Sequence, residues 1–238
     1  MKYLTIDTTT KITALALAEK GKLVGEGFLH TGKTHSERLI PMLDQLLTAA
    51  AWKLAELDFI AVVRGPGSFT GIRIGIATAQ GLAQVLKIPV FGITSLDTLA
   101  WAGRGRSEEI VVLLDARKNE YYYARYRFLE SRECVDGPKA LSPQALLKVL
   151  TPMEQSFYFV GDAVPAAQKY LTEALGPRAI IPLEYQYLPR GAYAVFEAWQ
   201  QWPKIAAQTR SALSSVEPFY IRMSEAEVNY RKKNSQQE

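Results

Sequence analysis

This sequence predicts an α/β protein made of two lobes built to one plan, and three observations predict it. Strand-like apolar runs alternate along the chain with amphipathic helical patterns. Two of those runs end in an acid, Asp7 and Asp115. After each acid come two more strand patterns, then helix, strand and helix, so the second half repeats the order of the first.

Taken in order, residues 2–6 form a first apolar strand that ends at Asp7. Residues 12–18 alternate in the manner of a strand, 20–22 turn, and 23–29 return. Thr34-His35-Ser36-Glu37 has the form of a capping box and opens a helix carrying Leu39, Met42, Leu43, Leu46 and Leu47 on one side. Pro41 lies early in that helix and shifts its expected start. Residues 59–63 are a strand, 72–86 a helix and 90–93 a strand, and Ser95 caps a short helix to about residue 102. The small and charged run 103–107 reads as the connection between lobes. The plan then restarts. Residues 110–114 lead to Asp115, 117–120 turn, 121–128 alternate and 134–139 pair as a third strand. Ser142 caps a helix that runs to 150 with Pro143 at its first position. Residues 157–160 are a strand, and 165–175 and 192–202 are helices. A meander followed by a βαβ unit, in duplicate, describes two ribonuclease-H-like lobes, the ASKHA architecture of actin, sugar kinases and Hsp70-type ATPases. The division expected is 1–104 and 105–238, the second lobe ending in a basic, disordered tail with Arg231, Lys232 and Lys233.

A net charge of +4 is too small to require a nucleic-acid stripe. The lone Cys134 forms no internal disulfide, which suits a reducing compartment. With no charged-then-apolar leader and no apolar run near the ~20 residues of a membrane span, a cytoplasmic protein is expected.

Residues 64–75, RGPGSFTGIRIG, link a strand to a helix through glycines at 65, 67 and 71. Such a turn aims backbone N–H groups at an anion or a partner surface. It lacks the lysine of a phosphate loop and the spacing of a dinucleotide fingerprint. Ser68 follows a strand as a hydrolase nucleophile does, but the outer glycines of that elbow are missing, and Ser68 or Thr70 is expected to cap the helix. In that helix Ile72, Ile76, Ala79, Ala83 and Leu86 form one stripe, and Ile74, Gly75, Thr78, Leu82 and Val85 a second face. A helix apolar nearly all round must bury more than one side.

YLTIDTTT, THSERLIPML, RGPGSFTGIRIGIATAQGLA, LLDARKNEYYYARY and VEPFYIR together resemble the bacterial TsaB (YeaZ) family. The resemblance implies the two-lobe ASKHA fold and a non-catalytic subunit. Its partner TsaD transfers a threonylcarbamoyl group onto adenosine in tRNA, and the ATPase TsaE joins the pair. It also implies docking through the first two helices, here 35–47 and 72–86. Met42, Leu46, Gly71, Ile72, Gly75, Ile76 and Ala79 are the expected contact residues, with the small ones letting a neighbouring helix approach. A charge at Ile76 or Leu46 is then expected to abolish the complex and leave the fold intact. Contact with tRNA is expected only within the complex.

Nucleotide-binding relatives of the fold follow the first acid with D-x-G-T. Here Thr9 stands where glycine would, and Arg117-Lys118-Asn119 follow Asp115. Asp7, Thr9 and Asp115 are either a relict phosphate loop or turn residues, with Asp7 accepting from local N–H groups. No catalytic residue, cofactor or metal is assigned. His30 and His35, five apart, would point about 140° apart on a helix. Tyr121, Tyr123, Arg125 and Arg127 share one face of a regular strand, either stacking bases or half-exposed. An ATPase or transferase working in the cleft, and an independent homodimer using the same helices, are the alternatives.

Overall fold

The computed structural model describes residues 1–31, 34–208 and 215–222. The basic run at Arg231, Lys232 and Lys233 lies outside the described residues. Two five-stranded sheets carry the chain. The first contains β1 (Lys2–Asp7), β2 (Thr13–Glu19), β3 (Lys22–Leu29), β4 (Phe59–Val63) and β5 (Val90–Ile93) in the order β3-β2-β1-β4-β5. The second contains β6 (Glu109–Asp115), β7 (Tyr121–Phe128), β8 (Arg132–Leu141), β9 (Phe157–Val160) and β10 (Ala179–Ile180) in the order β10-β9-β6-β7-β8. In each, the acid-ended strand is central, antiparallel to its meander neighbour and parallel to the strand after the first helix. Read outward from β1 or β6, the two orders are the same, so both lobes are ribonuclease-H-like and the internal repeat is real.

Parallel neighbours need crossovers, and helices supply them. In the first lobe these are α1 (His35–Ala49) and α2 (Phe69–Leu86). In the second they are α4 (Pro143–Leu150), capped by Ser142, and α5 (Val164–Leu175). The remaining helices are α3 (Ser95–Ala100), α6 (Glu184–Tyr187) and α7 (Gly191–Gln208). α1 starts at His35 despite Pro41, which sits inside the helix, so the expected shift of its start does not occur. The cap of α3 is Thr94, whose hydroxyl accepts from Asp97 N–H, and not Ser95.

The break at 104 divides the sheets but not the packing. α3 follows the first sheet, yet Leu96, Leu99 and Ala100 join the core around Ile110, Val112 and Leu114 of the second. α7 follows the second sheet, yet Ala194, Val195 and Ala198 lie on Tyr3, Phe59 and Phe91 of the first. Small residues of the first sheet, Ala16, Ala18 and Ala61, make room for this helix, and Trp202 stacks on Phe59 at 4.0 Å between centroids. Each lobe therefore borrows a helix from the other half of the chain. A buried polar network fixes the exchange. Arg132 at the start of β8 donates to Asp97 of α3 at 2.5 Å and to Glu197 of α7 at 2.9 and 3.2 Å. Trp101 and Gln201 also donate to Glu197, at 2.7 and 2.6 Å.

β7 departs from the regular alternation expected of it. The register slips between Tyr123 and Arg125 and again before Tyr126. Tyr121, Tyr123 and Tyr126 are buried, Arg125 pairs with Glu109 at 2.7 Å and Arg127 with Glu133 at 2.7 Å. Tyr121 and Tyr123 belong to the core, so the face that carries them is not free for bases to stack on. Among the described residues no helix is long and apolar enough to cross a membrane.

Candidate functional site: the glycine loop and the outer face of the first two helices

The loop between β4 and α2 is closed by the chain itself. Thr9 carbonyl accepts from Ser68 N–H at 2.6 Å, and the Thr8 hydroxyl donates to Gly71 carbonyl at 2.7 Å. A Cβ at Gly67 would overlap Thr9 carbonyl, one at Gly71 Thr8 carbonyl, and one at Gly75 the Thr8 hydroxyl. Gly65, at φ +113°, has the carbonyl of Phe219 2.6 Å from where a Cβ would stand. The glycines thus admit the chain's own carbonyls, so the space they leave in residues 64–75 is filled from within. Ser68 accepts from Gly71 N–H at 3.3 Å and so caps α2.

The Asp7 carboxylate is buried and accepts from the N–H and hydroxyl of Thr9 at 2.9 and 2.7 Å. Burial lifts its pKa above the ordinary carboxylate value, while the Thr9 bonds pull it back. Of the two readings of Asp7, the turn-satisfying one describes this geometry. Asp115 is exposed, accepts from Arg117 N–H at 2.8 Å and donates its own N–H to Asp162 at 3.1 Å. Burial pushes Asp162 up to about 6. Arg117, Lys118 and Asn119 all adopt left-handed φ, +61°, +53° and +57°. The turn takes this shape without glycine, at a cost of about 1–2 kcal/mol per residue.

The histidines are apart. His30 is exposed beyond β3. His35 is half-buried: Nε2 lies 2.9 Å from Thr10 carbonyl and Nδ1 2.8 Å from the Thr13 hydroxyl. A carbonyl only accepts, so Nε2 carries the proton and Nδ1 accepts. Burial lowers the His35 pKa, in keeping with a neutral ring. No group of three His, Cys, Asp or Glu among the described residues could hold a metal.

α1 and α2 lie on one face of the first sheet. Both are crossovers between parallel strands, so they run the same way. The burial of α2 corrects the expected contact set. Gly71, Ile72, Gly75, Ile76 and Ala79 are buried, and they face their own sheet among Leu4, Ile6, Ile60 and Val62. Met42 is buried in the same core, and only Leu46 is half-exposed. The small residues bring α2 close to Thr8, not to another helix. The second apolar face is the outward one. Ile74, Thr78 and Leu82 are half-buried there and Val85 is 80% exposed. Ala77 and Gly81 stand beside it, exposed, and a Cβ on Gly81 would meet none of the described residues within 4 Å. From α1 comes Ile40, 51% exposed. Between Arg73 and Lys87 the helix carries no charge at all. Sequence reasoning misses Ile40, Ala77 and Gly81. The available signal is spacing: 71, 75, 79 and 83 form one stripe of small residues, and Gly81 stands off it.

The family model described as TsaD, tRNA N6-adenosine threonylcarbamoyltransferase, matches residues 29–230. The chain is 30% identical over 244 residues to the tRNA threonylcarbamoyladenosine biosynthesis protein TsaB of Haemophilus influenzae, covering 98% of this chain and 97% of that protein. To the protein of the same name from Bacillus subtilis it is 29% identical over 231 residues, 97% and 98% of the two chains. Among solved structures, YeaZ from Pseudomonas aeruginosa superposes with a TM-score of 0.76 at 27% identity, over 92% of this chain and 99% of that one.

Proposed function

Because the chain belongs to the TsaB (YeaZ) family, we propose that it serves tRNA threonylcarbamoyladenosine biosynthesis as a non-catalytic subunit. In this role it presents the outer face of α1 and α2 to TsaD, and TsaE joins the pair. The observation that carries this reading is the uncharged outward stripe of α2. Glycine in an exposed helix interior costs about 1 kcal/mol against alanine. Among the described residues nothing approaches the place a Cβ would take at Gly81. A second helix packed closely against the stripe would use it, and Ile74, Leu82 and Val85 would then be sealed from water.

The interior of the glycine loop supports the non-catalytic part. The Asp7 carboxylate is occupied by Thr9, Ser68 caps a helix, and both ring nitrogens of His35 are engaged by Thr10 and Thr13. The test is Gly81→Arg. Arginine is the better helix former, so the isolated chain gains about 0.5–1 kcal/mol in stability. Calorimetric titration with TsaD should show affinity weakened at least about tenfold, because a bulky charge now stands in the interface. Unchanged affinity refutes the docking face.

A further inference from the structure

Residues 215–222 run from the first lobe, where Val216 and Tyr220 join its core, to the second, where Ile221 packs and Arg222 meets Glu120. Phe219 N–H donates to Arg64 carbonyl at 2.8 Å, and Val216 is buried against the first lobe. This strap and the glycine loop together build a cluster that the docking face does not include. Phe69 and Tyr220 stack at 5.3 Å between centroids. The Arg73 guanidinium lies 3.8 Å from the Phe69 centroid, and its Nε donates to the Tyr220 hydroxyl at 3.3 Å. On the same loop, Arg64 lies 5.4 Å from the Phe219 centroid and donates to Glu217 carbonyl at 3.4 Å.

Charge, stacking and a side-chain hydrogen bond together mark Arg73. Arg117, Arg125, Arg127, Arg132, Arg190 and Arg222 each meet a carboxylate. Among the described residues Arg64, Arg73, Arg104, Arg106 and Arg178 are seen against rings, a hydroxyl or carbonyls instead, and of these Arg73 both lies over a ring and donates to a tyrosine hydroxyl. The guanidiniums of Arg64 and Arg73 are held in place, and Arg73 is exposed. A guanidinium fixed over a ring and not neutralised by a carboxylate fits the phosphates of a nucleic-acid strand.

We infer that the Phe69–Arg73–Tyr220 cluster is an RNA-contact site that binds the phosphodiester backbone of the tRNA, with Arg64, at the start of the same loop, as a second cation. The inference rests on the proposed role in tRNA modification for the identity of the RNA. Binding of this kind is electrostatic and weakly sequence-dependent, so salt reports on it.

The experiment titrates fluorescently labelled tRNA with the full chain, alone and mixed with TsaD, over a series of salt concentrations. The variants are Arg73→Gln, Arg64→Gln and the double substitution, with Arg104→Gln as a control in the connection between the sheets. Arg73→Gln should weaken tRNA binding about fivefold or more and lower the slope of log affinity on log salt by about 1 for each phosphate no longer neutralised. Arg73→Lys keeps the charge and should recover part of the salt slope. Thermal unfolding of each variant should match the unaltered chain. Unchanged tRNA affinity and slope overturn the site. A loss confined to TsaD affinity, with tRNA binding intact, also overturns it and makes the cluster a protein-binding one. If TsaD does not bind at all, the proposed function fails, while the titration of the chain alone still decides whether Arg73 holds RNA.

Discussion

Ile76→Asp separates the two faces of α2. Ile76 is 5% exposed and lies in the core that includes Ile6, Ile60 and Val62. Truncating a buried isoleucine to alanine costs about 2–5 kcal/mol. A carboxyl group left there without a partner adds about 1–3 kcal/mol. The sum, about 3–8 kcal/mol, rivals the whole stability of a domain, ~5–15 kcal/mol. Val85→Asp places the same group nine residues on, where the side chain is 80% exposed. It should change the isolated chain by no more than about 0.5 kcal/mol. Urea unfolding followed by circular dichroism reads the difference. With a slope of ~3 kcal/mol per molar, Ile76→Asp should lower the midpoint by more than about 1 M, or leave no folded baseline. An Ile76→Asp chain within about 1 kcal/mol of the unaltered protein would refute the assignment of this stripe to the core. It would restore the outward placement that the sequence suggests.

Two further outcomes are expected. Arg132→Met strands Glu197, a residue 1% exposed, and should cost about 3 kcal/mol, the low end for a broken buried pair because Trp101 and Gln201 still donate. Adding Glu197→Gln should return part of that loss in the same urea assay, and full additivity of the two changes would contradict the network. Asp162 titrates at about 6 in the folded chain against 3.8 as the ordinary value. Between those values the native state holds a proton that the unfolded chain releases, so stability falls as pH rises, by up to about 3 kcal/mol. Asp162→Asn keeps an acceptor for Asp115 N–H and should match the unaltered protein near pH 4 but exceed it near pH 7. Equal stabilities at both pH values would count against the raised pKa.

The strand and helix plan was legible because period and punctuation carry it. β4, β5, β7 and β9 lie where alternating or apolar runs placed them, and Ser142 caps α4 as its position before Pro143 implied. The contact residues of α2 were not legible. Gly71, Gly75 and Ala79 signal close approach, but composition does not say what approaches, and here it is Thr8 carbonyl and hydroxyl. The register slips in β7 were equally silent, since a bulge changes which side a tyrosine faces without changing the letters around it. The strap on the glycine loop was also hidden, because the pairing of Phe219 with Arg64 joins residues far apart in the chain.

The exchange of α3 and α7 has a consequence for synthesis. On the ribosome the first sheet is complete once Ile93 has emerged, but the helix that roofs Tyr3, Phe59 and Phe91 follows only after Gly191. For about a hundred residues of elongation, roughly 5–20 s at bacterial-type rates, one aromatic face of the nascent lobe stays wet. The half-chain cannot finish before the whole, and the two lobes become native in a single, late closure.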